Sequence, residues 1–173
     1  MINKSSWIDN FFFNTFFELQ TEDYHKQIVG AAEYIKNNLG LADIAITLGS
    51  GLNGFVDNLE NSKFLDYSMI PNLPIPSIIG HPGKIYIGEL KGKKIYCLAG
   101  RLHAYEGIAM YKITFMARIM SELKVKLYIA TNSSGGCKTG MFEGCIMTIT
   151  DHLNFFKRNP LIGKKKNHFE INR

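Results

Sequence analysis

Residues 44–51 read Ile-Ala-Ile-Thr-Leu-Gly-Ser-Gly, a short apolar run that ends in a small, polar turn. A run of this length, rich in β-branched residues and closed by glycine, is typical of a buried strand. The pattern returns at residues 127–131, Leu-Tyr-Ile-Ala-Thr, which lead into Asn132-Ser133-Ser134-Gly135-Gly136. Between them, residues 84–90 and 93–99 read as two strands joined at Lys91-Gly92, a hairpin signal. Residues 146–149 are read as a further strand.

Helical spacing fills the intervals. Thr21, followed by Glu22 and Asp23, has the character of an N-cap with acids in the first turn. Tyr24, Ile28, Ala31, Ala32, Ile35 and Leu39 then keep a helical period, and Gly40 stands where a C-terminal cap belongs. Residues 108–123 have the length and spacing of a second helix, while Pro71–Pro76 carries three prolines and must be loop. Strands alternating with helices predict an α/β fold, a mixed sheet flanked by helices with both faces covered.

The formal charge of +5 is local: from Lys157 to Arg173 there are six basic residues and one acid, and the rest of the chain is neutral. Nucleic-acid binding normally spreads cations over a folded face, so no nucleic-acid partner is expected. No window approaches the length of an apolar membrane span, so no membrane partner is expected. The first twenty residues hold five of the twelve phenylalanines, interrupted by Asp9, Asn10 and Asn14. That interruption argues against a secretory leader, and residues 1–20 are read as a Phe-rich extension docking on the domain. Cys97, Cys137 and Cys145 show no metal-like spacing. Cys97 and Cys145 lie in apolar runs where buried thiols are common, and a reduced, cytoplasmic setting is expected.

Chemistry is expected at the strand ends, because ligands in such sheets bind beyond the carboxyl ends of strands. Gly49-Ser50-Gly51 and the turn at Asn132–Gly136 allow backbone N–H groups to approach an anion, with serine hydroxyls as further donors. Either turn alone is equally well read as a simple strand closure. Gly100-Arg101-Leu102-His103-Ala104-Tyr105-Glu106-Gly107 follows a strand directly. In an extended segment Arg101, His103 and Tyr105 share one side, and an arginine fork with a histidine suits a phosphate. Gly80-His81-Pro82-Gly83 offers another histidine, which alone reads as exposed. Glu106, Glu143 and Asp151 are the nearest acids, without a paired-carboxylate arrangement, and Asp151-His152 reads as a structural hydrogen-bonded pair ending a strand. Gly49-x-Gly51-x-x-Gly54 matches a dinucleotide fingerprint, but the helix it needs can hardly pass Leu59. Asp66 is also too near and has no convincing strand before it.

In this order, Leu48-Gly-Ser-Gly-Leu52, Gly80-His-Pro-Gly83, Gly100-Arg-Leu-His-Ala-Tyr-Glu-Gly107 and Thr131-Asn-Ser-Ser-Gly-Gly136 resemble the trimeric purine nucleoside phosphorylases. Phe64-x-Asp66-Tyr67-Ser68-x-Ile70-Pro71-Asn72 and Asp151-His152-x-Asn154 look like connecting segments of the same family. The resemblance runs from about Tyr24 to Leu161 and implies a phosphorylase domain over residues 21–162, with residues 163–173 a basic tail. It implies phosphorolysis of a purine ribonucleoside to free base and ribose 1-phosphate, in purine salvage. It implies Ser50, His81, Arg101, His103 and the Ser133 amide as phosphate ligands, with His103 in the catalytic role and Tyr105 beside the ribose. No metal or organic cofactor is implied, inorganic phosphate being a co-substrate, and the family assembles as homotrimers.

Three features depart from the family pattern. Cys137 and Cys145 stand where an aliphatic residue and an aspartate are usual, and Ser133-Ser134 replaces a pair of alanines. The family's purine-recognising segment is expected beyond Arg173, so the chain is read as truncated at its C-terminus, inactive alone, with apolar strand edges exposed. Purine choice is set in that segment. A methylthioadenosine phosphorylase-like enzyme and a non-catalytic phosphate-binding remnant are the alternatives.

Overall fold

A computed structural model of the chain describes residues 23–75, 82–153, 155, 159 and 160. The Thr21 cap, the Phe-rich extension, His81 and the basic tail lie outside the described residues. Strand β1, Ile44–Leu48, is the organising element. It pairs in parallel with β4, Lys93–Ala99, on one side and with β5, Leu127–Ala130, on the other. Next to β4 comes β3, Lys84–Leu90, and then β2, Glu60–Asp66, both antiparallel to their neighbours. The order is β2-β3-β4-β1-β5, a mixed five-stranded sheet.

The expected hairpin is present at residues 84–99, with Lys91 and Gly92 both at positive φ (49° and 71°), as a tight two-residue turn between twisted strands requires. Alternation along β4 sorts the core into two layers. Tyr96 and Leu98 face helix α1, residues 23–39, through Ile28, Ala31, Ala32 and Ile35. The same layer takes Phe115, Ile119 and Met120 from α3, Phe115–Glu122, which follows a single turn α2, Met110–Ile113. Ile95, Cys97 and Ala99 point to the opposite face, where Leu48, Leu59, Phe55 and Val56 cover them. Among the described residues the two faces are thus covered unequally: helices on one, and mainly the 3₁₀ segment Asn53–Asn58 on the other.

Several expectations are corrected. The helix read over 108–123 breaks at Thr114, whose hydroxyl donates back to the Met110 carbonyl and competes with the helical ladder. Asp66 does end a strand: β2 begins with Glu60-Asn61-Ser62-Lys63, exposed and polar, so no apolar run announces it. Among the described residues β5 is not buried but forms the edge, with Leu127, Tyr128 and Ile129 partly exposed. Residues 146–149 form no strand; Ile146 is 98% exposed and finds no partner edge among the described residues, and Asp151-His152 accordingly ends no strand. Cys145 is exposed, whereas Cys97 is buried as expected.

The dinucleotide reading fails structurally as well. The glycine turn after β1 leads into a 3₁₀ segment and then antiparallel β2, so no βαβ unit forms around it.

Candidate active site at the strand ends

Because β4, β1 and β5 are adjacent and parallel, their carboxyl ends open on one side of the sheet. Gly100-Arg101 follows the first, Gly49-Ser50 the second and Thr131-Asn132-Ser133 the third. The turns are in contact. The Gly49 amide donates to the Thr131 hydroxyl at 2.8 Å, and Arg101 Nη1 donates to the Thr131 carbonyl at 2.6 Å. Gly49 has no room for a side chain there, since a Cβ would stand 2.9 Å from the Thr131 carbonyl oxygen. The glycine is needed for close approach of two backbones.

Arg101 and His103 converge as expected. Arg101 Nε donates to His103 Nε2 at 3.2 Å, so the other ring nitrogen carries the proton. That nitrogen, Nδ1, lies 3.1 Å from Glu106 Oε1. Glu106 Oε1 also accepts from the His103 backbone amide at 2.7 Å. The result is a row, guanidinium–imidazole–carboxylate, whose two ends carry opposite charges. With Nε and Nη1 engaged, two of the five guanidinium donors fix the plane of the fork.

Tyr105 departs from the expected alternation. The His103–Glu106 capping box starts a 3₁₀ turn, Ala104–Glu106, so the chain is extended at His103 and bent at Tyr105. The phenol ring stacks on the His103 imidazole instead, with centroids 4.8 Å apart and an interplanar angle of 19°. It is 77% exposed and forms an open wall over the histidine. Ser50 and Ser133 are exposed, two residues beyond β1 and three beyond β5 respectively.

Beneath the strand ends a cavity of about 60 Å³ is lined by Thr47, Tyr67, Gly100, Arg101, Lys112 and Tyr128, among others. Two cationic side chains, Arg101 and Lys112, line it, and it is far smaller than the roughly 300–1,000 Å³ of ordinary small-molecule pockets. Its floor is rigid. The buried Tyr67 hydroxyl donates to the Gly100 carbonyl at 3.0 Å, and burial pushes its pKa well above the usual phenol range, so it stays a neutral donor. The Tyr128 hydroxyl meets Thr47 Oγ1 at 2.6 Å; burial raises its pKa, with that hydrogen bond acting in the opposite direction.

Three contributors were not legible as such in the sequence. Glu106 is a bare nearby acid there, although its position three residues after His103 has capping-box spacing. Thr131 reads as the last residue of a strand, and Tyr67 as part of a connecting segment.

The phosphorylase superfamily matches this chain over residues 43–172. Purine nucleoside phosphorylase 1 of Bacillus subtilis is 42% identical over 144 residues, covering 83% of this chain and 53% of that protein. Purine nucleoside phosphorylase of Bos taurus is 38% identical over 131 residues, covering 74% and 45% respectively. The structure of isoform 2 of the Schistosoma mansoni enzyme, in complex with cytosine and ribose-1-phosphate, superposes with a TM-score of 0.60 at 38% identity. That superposition covers 64% of this chain and 39% of the other. The chain spans about half the length of the curated relatives it matches. The chain belongs to the phosphorylase superfamily, and the relatives it matches are purine nucleoside phosphorylases.

Proposed function

We propose that these strand ends grip inorganic phosphate, and that the whole protein uses it to split purine ribonucleosides into free base and ribose 1-phosphate. The observation that carries this reading is the anchored guanidinium of Arg101, held between His103 and the Thr131 carbonyl where three parallel strands end. A charged fork fixed in this way binds a dianion without the entropic cost of ordering a free side chain.

In the proposed site Arg101, His103, Ser50, His81 and the Ser133 amide are the phosphate ligands, and Tyr105 packs against the ribose. Rupture of the glycosidic bond builds positive charge on the ribose and negative charge on the purine. A phosphate dianion placed beside C1′ stabilises the first and then captures it, with the electrons of the broken bond leaving on the base. His103 is the catalytic residue in this reading, since it touches the nucleophile; Glu106 orients it through Nδ1. Positioning and electrostatics supply the rate, so no metal or organic cofactor enters the reaction. A cytoplasmic homotrimer acting in purine salvage belongs to the same reading.

Calorimetric titration of the 173-residue chain with phosphate tests the site. Saturable binding that Arg101→Ala removes is expected. Indistinguishable titrations of the two proteins overturn the reading.

A further inference from the structure

We infer that Thr131 is a positioning residue: one side chain and its own peptide groups set the distance between the three strand ends that form the phosphate site. The inference rests on the phosphate reading above and goes beyond it, since Thr131 is not among the proposed ligands.

Every polar group of Thr131 is committed across the sheet. Its backbone N–H donates to the Thr47 carbonyl at 3.2 Å, and its hydroxyl donates to the same carbonyl at 2.8 Å. The hydroxyl oxygen accepts from the Gly49 amide at 2.8 Å, and the Thr131 carbonyl accepts from Arg101 Nη1 at 2.6 Å. A parallel ladder would let β1 and β5 diverge at Gly49, because the next residues turn away from the sheet. The hydroxyl replaces the lost ladder bond and carries the pairing one residue further. Arg101 is then oriented by a carbonyl whose place is fixed by the other two strand ends.

The residue type follows from these bonds. A β-branched side chain has few χ1 choices in extended backbone, so its hydroxyl is aimed before any partner is met. Valine fills the same space but offers neither donor nor acceptor, and leaves the Gly49 amide without its partner. Serine keeps the hydroxyl. On the other side of the contact, a Cβ at Gly49 would lie 2.9 Å from the Thr131 carbonyl oxygen and 3.1 Å from the Asn132 Cα, backbone atoms that move only together with the turn.

The test uses the full 173-residue chain and inorganic phosphate as the probe, followed by calorimetry, with thermal midpoints measured in parallel. Thr131→Val is expected to weaken phosphate binding about tenfold, the scale of one lost hydrogen bond in a partly buried site. Thr131→Ser is expected to stay within about threefold of the parent, because the hydroxyl is retained. Gly49→Ala leaves Thr131 intact and is expected to weaken binding comparably, which keeps the test decisive should Thr131→Val fail to fold. Parental affinity in Thr131→Val or in Gly49→Ala overturns the inference, and so does an equal loss in the Val and Ser variants. If the parent chain itself binds no phosphate, the phosphate reading falls and this inference falls with it. Parental binding that survives Thr131→Val sinks the inference alone.

Discussion

His103 Nδ1 lies 3.1 Å from Glu106 Oε1, and the same carboxylate oxygen caps the His103 backbone amide at 2.7 Å. One buried acid therefore sets both the ring orientation and the local chain direction of the histidine that Arg101 also contacts. An imidazole so held presents Nε2 toward the guanidinium rather than rotating among rotamers.

Replacing Glu106 should therefore act on the site through His103. Glu106→Ala is expected to weaken phosphate binding about tenfold, through the lost orientation of the histidine, while Glu106→Gln, which can still accept from Nδ1, loses less. Calorimetry on both variants checks the order. Equal affinity of Glu106→Ala and the parent would remove Glu106 from the site.

Alkaline pH should loosen the fold in a defined window. Burial pushes the Cys97 thiol up from 9.0 to about 11 and the Tyr96 phenol up from 10.0 to about 12. The folded chain thus holds these protons more tightly than the unfolded one. Their contribution is fully present below pH 9.0 and is lost as the pH climbs through about 11 and then about 12. Thermal midpoints should hold level to about pH 9.0 and then fall, and at pH 8 a thiol reagent should modify Cys137 and Cys145 well before Cys97. Rapid labelling of all three cysteines in the native state contradicts this.

Gly88 is a packing constraint in the middle of β3. A Cβ there would sit 2.7 Å from the Leu59 Cβ and 3.1 Å from the Glu60 carbonyl oxygen. Gly88→Ala is expected to destabilise the fold by about 1–3 kcal/mol, the usual cost of overpacking, since Leu59 must leave its place over the sheet. Urea denaturation measures it; an unchanged midpoint would show that Leu59 moves freely.

Much of this protein was legible along the chain. The strands at 44–48, 84–90, 93–99 and 127–130, the helix at 23–39 and the hairpin turn all follow from local period and from glycine placement, which act within a few residues. The turns proposed to bind the anion were legible as turns for the same reason, as small residues placed directly after apolar runs. What decided the rest acts between residues distant in sequence. β2 is a strand because β3 offers it an edge, not because its polar residues prefer one. β5 is exposed because the sheet ends there among the described residues, and 146–149 stay unpaired although their composition suits a strand. Thr131, Glu106 and Tyr67 acquire their roles from hydrogen bonds to Gly49, His103 and Gly100, and two of those three span more than thirty residues of chain. Local sequence encodes which backbone a segment prefers; only the packed sheet brings three strand ends within one hydrogen bond of each other.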